Sequence, residues 1–208
     1  MIEDHPIFLE SIRFIRSKIS QNNLTELETK VLERLIHTSG DFSIQNLLIF
    51  SEKACEIGIK AIENNVPILT DTDMAAAAIK SMAAKAGVNQ IFPASKWFEQ
   101  QKDFSQTKTA FGIMRGWTEI SKYNYGDKSP IVIFGSSPTA LEGFLDTVEN
   151  SDHKPSLIIG MPVGFIGVEK SKKRLIKSDQ NYIVLGSTRG GAAMAGATIN
   201  ALLRASIQ

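Results

Sequence analysis

Four short, unbroken apolar runs constrain this chain more than any other feature: Val66-Pro67-Ile68-Leu69, Ile131-Val132-Ile133-Phe134, Leu157-Ile158-Ile159 and Tyr182-Ile183-Val184-Leu185. A strand wet on one face alternates apolar and polar residues, whereas a strand covered on both faces has no polar register. Runs of this kind therefore belong to a sheet buried between two layers. Each is followed by a segment of helical texture, and such alternation winds a parallel sheet with helices on both faces. Val88-Asn89-Gln90-Ile91-Phe92 reads as a fifth strand, its pattern diluted by two polar residues. The expected fold is a three-layer α/β/α domain with a mostly parallel, flavodoxin-like sheet.

An added helical segment precedes the sheet. Ile7, Phe8, Ile12, Ile15 and Ile19 recur at helical spacing after the start signal Pro6. Thr25 and Glu28 have the spacing of a capping box, opening a second helix that carries Leu27, Val31, Leu32 and Leu35 toward Gly40. A third helix is expected from Glu52 to Asn64. Ser95 to Gln106, with Lys96, Glu99, Lys102 and Asp103, reads as a solvated connection or a short exposed helix. One hydrophobic core serves a chain of up to roughly 250 residues, so residues 1–208 are expected to form a single domain.

Charge and cysteine content exclude several functions. Lysine plus arginine number 23 against 22 aspartate plus glutamate, a formal net charge of +1 that offers no global field for nucleic acid or an anionic membrane. Any anionic ligand must be met by locally placed cations. Cys55 is the single cysteine, so there is no internal disulfide and no multi-cysteine metal site. No His-x-x-x-His pair is present either, and neither a metal nor a resident cofactor is expected. Asp71 and Asp73 stand two apart after an apolar run; Asp71 or Thr72 capping the next helix accounts for them better than a Mg²⁺ site. Met1 to Pro6 contains no basic leader, and no run approaches the roughly 20 apolar residues of a membrane span. The expectation is a cytoplasmic protein.

The chemistry-bearing residues cluster where the apolar runs end. Phe134-Gly135-Ser136-Ser137-Pro138-Thr139-Ala140-Leu141 and Gly160-Met161-Pro162-Val163-Gly164-Phe165 carry turn residues at the carboxyl ends of expected parallel strands. Open α/β sheets bind ligands there, through exposed backbone N–H groups. Gly190-Gly191 opens the last helix but fits neither a Walker loop nor a Gly-x-Gly-x-x-Gly fingerprint, and a close helix-strand crossing explains the pair equally well. Ser136-Ser137 lacks the nucleophile elbow of a serine hydrolase. His5 and His153 lie in polar surroundings and read as exposed. His37 differs: it ends an amphipathic helix just before Thr38-Ser39-Gly40, where Gly40 can take the left-handed cap. The negative end of the helix dipole, with Asp41 nearby, favours a cation there and suits a proton donor. A histidine in a last helical turn also serves simply as a cap.

Taken together, these segments resemble the precorrin-8X methylmutase (precorrin isomerase) family of cobalamin biosynthesis. The resemblance runs from Ser11 to Leu203 and rests on Gly160 to Phe165 with Ser171-Lys172, on Pro138 to Leu141, on Ile36-His37-Thr38-Ser39-Gly40-Asp41, and on Ser11 through Ile15-Arg16. It implies an isomerase that moves a methyl group from ring carbon 11 to carbon 12 of a corrin precursor without a cofactor. It also implies that His37 is the catalytic proton donor and acceptor, that Ser11 contacts substrate, and that the protein is a homodimer with its site near the interface. Lys108 stands where the family usually has arginine, and Lys170 where it has glutamate.

A corrinoid with acetate and propionate arms is broad and polyanionic, so it calls for many backbone donors, a few cations and an apolar floor. Candidate substrate-binding residues are therefore Ser11, Arg16, Lys108, Thr139, Gly164, Arg189, Gly190 and Gly191, with helix N-termini after Gly135, Gly164 and Gly191 as donors. Met74, Met161 and Phe165 are candidates for the floor or, alternatively, core packing. The changes at Lys108 and Lys170 motivate a second reading, a corrinoid-binding or carrier protein that does not react its ligand. Strand-end glycines alone motivate a third, a nucleotide- or flavin-binding module.

Overall fold

The apolar runs do form the sheet. In the computed structural model, which describes residues 5–20, 23–102, 105–123 and 128–208, six strands are ordered β1-β6-β5-β4-β2-β3. They are β1 (Leu48–Phe50), β2 (Ile68–Thr70), β3 (Ile91–Pro93), β4 (Ile131–Phe134), β5 (Leu157–Gly160) and β6 (Tyr182–Leu185). β2 to β6 are mutually parallel, with Ile68 beside Ile131, Ile131 beside Leu157 and Ile158 beside Tyr182. Numbered among themselves, the parallel strands run 2-1-3-4-5, the flavodoxin-like order, with the topological switch point between β2 and β4. β1 was not anticipated: it adds antiparallel to β6, Leu48 opposite Leu185, and makes the edge.

Helices α1 (Pro6–Lys18), α2 (Glu26–Ser39), α3 (Ala54–Glu63), α4 (Asp73–Lys85), α5 (Lys108–Ser121), α6 (Pro138–Glu149), α7 (Val168–Lys177) and α8 (Ala192–Ala205) cover the sheet. Strand residues alternate between two apolar clusters, as period-2 geometry demands. Ile131, Ile133, Ile159, Ile183 and Leu185 pack with α1 to α4 and α8, whereas Val132, Phe134, Ile158 and Val184 pack with α5, α6 and α7. The capping box at Thr25 and Glu28 forms, and α2 ends on Gly40 in the left-handed conformation (φ 66°). Cys55 is core; burial pushes its thiol up to about 12.

The structure decides between the alternatives left open at two places. The polar stretch after Ser95 is more than a solvated connection: residues Ala94–Gln100 form a 3₁₀ helix whose Trp97 is buried, its indole N–H donating to Glu119 at 2.8 Å. Asp103 in that stretch, and Met1 to Asp4 at the start, lie outside the described residues. Asp71 does not cap α4. Thr72 does, accepting from the Ala75 N–H at 3.2 Å, while Asp71 is buried beneath a neighbouring turn. Among the described residues no helix is long and apolar enough to cross a membrane, and no cluster of His, Cys, Asp and Glu could hold a metal ion.

Candidate functional site

α1 exists to be laid along α2, and that packing assembles the first part of the site. Ile12 and Ile15 dock on α2, and the two helices run oppositely, so that Ser11 meets His37 while Arg16 meets Glu33. The Ser11 hydroxyl and His37 Nδ1 are 3.0 Å apart, and no hydrogen bond engages Nε2 among the described residues. Phe8 sets its ring edge-on against the imidazole, centroids 5.2 Å apart, and is itself flanked by the guanidinium groups of Arg34 and Arg204. His37 is exposed, at the last turn of α2, with Gly40 N–H closing on the Ile36 carbonyl. Arg16 is a bidentate partner of the buried Glu33, at 2.5 and 3.1 Å, a pairing that raises its pKa further and directs the guanidinium along α2. Arg16 also lines a cleft of about 160 Å³ with Phe8, Ile12, Arg34 and Arg204.

Asp41 does not assist His37. The Ser43 hydroxyl, the Ser43 backbone N–H (2.8 Å) and Arg189 hold its carboxyl below the usual carboxylate range. Arg189, which sits in the turn between β6 and α8, thus reaches across to the segment just beyond the His37 helix. That turn is tied down on three sides. Gly191 N–H donates to the Met161 carbonyl and Gly164 N–H to the Thr188 carbonyl, which sew it to the turn after β5. From beneath, the buried Lys172 of α7 donates to the carbonyls of Ser187 (2.9 Å) and Arg189 (2.5 Å). Gly190 must be glycine: at φ 157° a Cβ would lie 2.1 Å from the Met161 carbonyl oxygen. The close backbone crossing therefore explains Gly190. Gly191, with φ 118°, has open space around it and begins α8 with no side-chain cap.

The turn between β4 and α6 behaves differently from expectation. The Ser136 and Ser137 N–H groups point inward and donate to Asp71 Oδ2 at 2.6 and 3.0 Å. Amides expected to face a ligand are thus spent on a buried carboxylate at the switch point, whose Oδ1 has no partner among the described residues. Burial raises the Asp71 pKa, against the pull of the backbone donors. What this turn does expose is hydroxyl. Thr139 contacts Ser137 (3.0 Å) and Thr107 (3.1 Å), the latter being the cap of α5, and Lys108 follows as the exposed first residue of that helix. Thr139 lines two adjoining clefts of about 480 and 350 Å³; Thr107, Met114 and Asp146 share the first, Ile166 and Lys170 the second.

Met161 is buried core, but Met74 is 68% and Phe165 89% exposed, with Val163 and Ile166 exposed beside Phe165. Core packing therefore accounts for Met161 but not for Met74 or Phe165, and Val163 and Ile166 share that exposure. Their signal was present in the sequence: apolar residues inside a glycine-bearing loop, outside any helical or strand period. The structure brings together Ser11 with His37, Arg189 with Asp41, and Thr139 with the Lys108 helix end, each on the carboxyl side of the sheet or the adjoining helix ends. It does not bring Lys108 or Thr139 into contact with His37. A cavity of about 540 Å³ opens at the opposite edge, where Ser129, Ser156 and Asn181 precede β4, β5 and β6, and none of the candidates lines it.

Comparison with known proteins finds relatives over almost the whole chain. Residues 6–205 match the family described as precorrin-8X methylmutase. A cobalt-precorrin-8 methylmutase from Synechocystis is 29% identical over 96% of this chain and 95% of its own. One from Methanocaldococcus jannaschii is 30% identical over 93% and 90%. Among solved structures, a precorrin-8x methyl mutase from Thermus thermophilus superposes with a TM-score of 0.83 at 26% identity, covering 96% of this chain and 95% of that one.

Proposed function

Because this chain belongs to the precorrin-8X methylmutase family, a family of isomerases in cobalamin biosynthesis, we propose that it shifts the methyl group on ring carbon 11 of precorrin-8X, or of its cobalt-bearing counterpart, to carbon 12, with His37 moving the proton. The observation that carries this is the Ser11–His37 pair: Ser11 engages Nδ1 and leaves Nε2 for the macrocycle. A proton delivered from Nε2 makes the conjugated ring system electron-poor, which eases migration of the methyl group with its bonding pair to the adjacent carbon. Loss of a proton from the rearranged macrocycle to Nε2 restores the imidazolium, so atoms and charge balance and no cofactor takes part. Phe8 and Ser11 fix the ring plane, so the imidazole reaches the transition state without losing rotational freedom at that moment.

The substrate's carboxylate arms need cations and amides around a flat apolar surface. Arg189, Lys108, the Thr139 hydroxyl and the Gly190 N–H supply the first in this reading, with Arg16 at the α1 side; the Gly164 and Gly191 N–H groups are spent on the Thr188 and Met161 carbonyls and shape the turn instead. Phe165, Ile166, Val163 and Met74 supply the second. These groups lie on open surface, and α1 exposes Ile7 and Phe14 beside Ser11. A second copy packed over α1 would bury these side chains and close the site, which is the homodimer we infer, acting in the cytoplasm.

The deciding experiment is His37→Ala assayed anaerobically with precorrin-8X and its cobalt counterpart, read by absorbance and mass. The expected result is a fall in kcat of about 10²–10⁴ with the corrinoid still bound. The wild-type product keeps the substrate's mass and changes its spectrum. Near-normal turnover by the variant would remove His37 from the mechanism. A wild-type protein that shifts the corrinoid bands without forming product would be the carrier instead.

A further inference from the structure

Lys172 is the most buried cation in the described structure, 1% exposed; no carboxylate lies within salt-bridge distance of it among the described residues, and Glu169 on the same helix acts on it only through space. Placing an ammonium in an apolar interior costs several kcal/mol unless it is fully hydrogen-bonded. Here the partners are two carbonyls only, those of Ser187 and Arg189, and burial lowers the amine to about 8. A methionine of similar length would avoid that cost, so the fold retains a penalty at this position. Both carbonyls belong to the turn that carries Arg189 and Gly190. In planar trans peptides the N–H points opposite the C=O. Holding the Ser187 and Arg189 oxygens on Lys172 therefore turns the Thr188 and Gly190 N–H groups away from the lysine. Ser187 itself is held at φ 59°, a left-handed conformation that a serine does not favour unaided.

We propose that Lys172 is a positioning residue for substrate: by gripping the Ser187 and Arg189 carbonyls it fixes the β6–α8 turn so that the Thr188 and Gly190 amides and the Arg189 guanidinium meet a carboxylate arm of the corrinoid. The contacts continue from Arg189 to Asp41 and Ser43, just past the cap of the His37 helix. The lysine thus registers the carboxylate grip against the proton donor. This rests on the corrinoid reading of the site.

The test is Lys172→Met against Lys172→Arg in the full chain, with folding followed by thermal melting and binding by the corrinoid absorbance shift. K172M is expected to raise KM and the substrate Kd about 10–100-fold, the range found when the hydrogen-bond partner that orients a metal ligand is removed, a comparable supporting role. Its kcat stays within about threefold because His37 and Ser11 are intact, and K172R recovers part of the affinity. A folded K172M with KM within twofold of wild type overturns the proposal, as does a loss confined to kcat. Should K172M fail to fold, ¹⁵N-lysine spectra of the wild type decide: saturating corrinoid shifts the Lys172 Nζ signal, and an unmoved signal overturns the proposal. A wild-type protein that neither binds nor isomerises corrinoid removes the parent reading, whereas an active wild type with an unaffected K172M removes this one alone.

Discussion

The turns after β4 and β6 are near neighbours and look alike in sequence, each a glycine-bearing loop opening a helix, yet they are built on opposite charges. They touch where Gly135 faces the start of α8, a Cβ there lying 2.7 Å from Ala192 Cα. Under the β4 turn sits Asp71, which accepts two backbone N–H groups. Under the β6 turn sits Lys172, which donates to two backbone carbonyls. A buried anion consumes a loop's amides and leaves hydroxyls to face outward; a buried cation consumes its carbonyls and leaves amides. The first turn accordingly presents Ser137 and Thr139, and the second is the one for which we propose a grip on a carboxylate. Sign of the buried charge, rather than glycine content, decides what a strand end offers.

The comparison can be broken most sharply at Gly190. Gly190→Ala forces a Cβ onto the Met161 carbonyl and a left-handed-side φ onto alanine, and is expected to cost about 3 kcal/mol or more in urea unfolding. Gly143→Ala, on the α6 side where an added Cβ meets nothing within 4 Å, is the control. Relief of chain entropy inside a helix should stabilise that variant by about 0.5–1 kcal/mol. Equal effects from the two substitutions would mean that the β6 turn is not held as tightly as its contacts imply.

Next in size is the anion. Asp71→Ala strands the Ser136 and Ser137 N–H groups and is expected to destabilise by about 2–4 kcal/mol, from the usual cost of buried unpaired donors. Asp71→Asn keeps an acceptor oxygen and isolates the charge. Burial raises the folded-state pKa of Asp71 above its unfolded value, so the native state binds the proton more tightly. Its contribution is fully present below about pH 4 and is lost as pH rises through the raised value. The stability of wild type relative to D71N should therefore decline with rising pH in the acid range. A difference that does not change there would show that Asp71 is not held out of water.

Much of this architecture was legible because strands buried on both faces leave an unmistakable mark. The runs at Ile131–Phe134 and Tyr182–Leu185 match β4 and β6 residue for residue, whereas β2 begins only at Ile68, after Pro67, which has no N–H for the ladder, and Val66, whose N–H is spent on the Ala61 carbonyl. β1 was missed although Leu47-Leu48-Ile49-Phe50 is an apolar run of the same kind, since three residues after a 3₁₀ helix show no period of their own. At the site, the helix-end His37 and its Gly40 cap were readable locally. The pairing of Ser11 Oγ with His37 Nδ1 was not, because it depends on the angle at which α1 lies on α2. Neither were the roles of Asp71 and Lys172. Their partners are backbone atoms 65 and 66 residues away in one case and 15 and 17 in the other, and backbone atoms carry no sequence signature. Trp97 was hidden by the charged residues around it.

The cation is tested by the opposite slope. Lys172 in the folded chain titrates at about 8, lowered chiefly by burial, against about 10.4 for a lysine in the unfolded chain. Below pH 8 both states carry the proton and the burial penalty is fully present. Between about 8 and 10.4 the unfolded chain holds more protons than the native one, so stability attributable to this residue rises with pH, by at most about 1.4 kcal/mol per unit. Unfolding of wild type and K172M, followed in urea from pH 7 to 10, should show wild type gaining on the variant across that window, whereas wild type loses to D71N in acid. Wild type and K172M running parallel through pH 10 would mean that the amine reaches water, and the two turns would then no longer be held by buried charges of opposite sign.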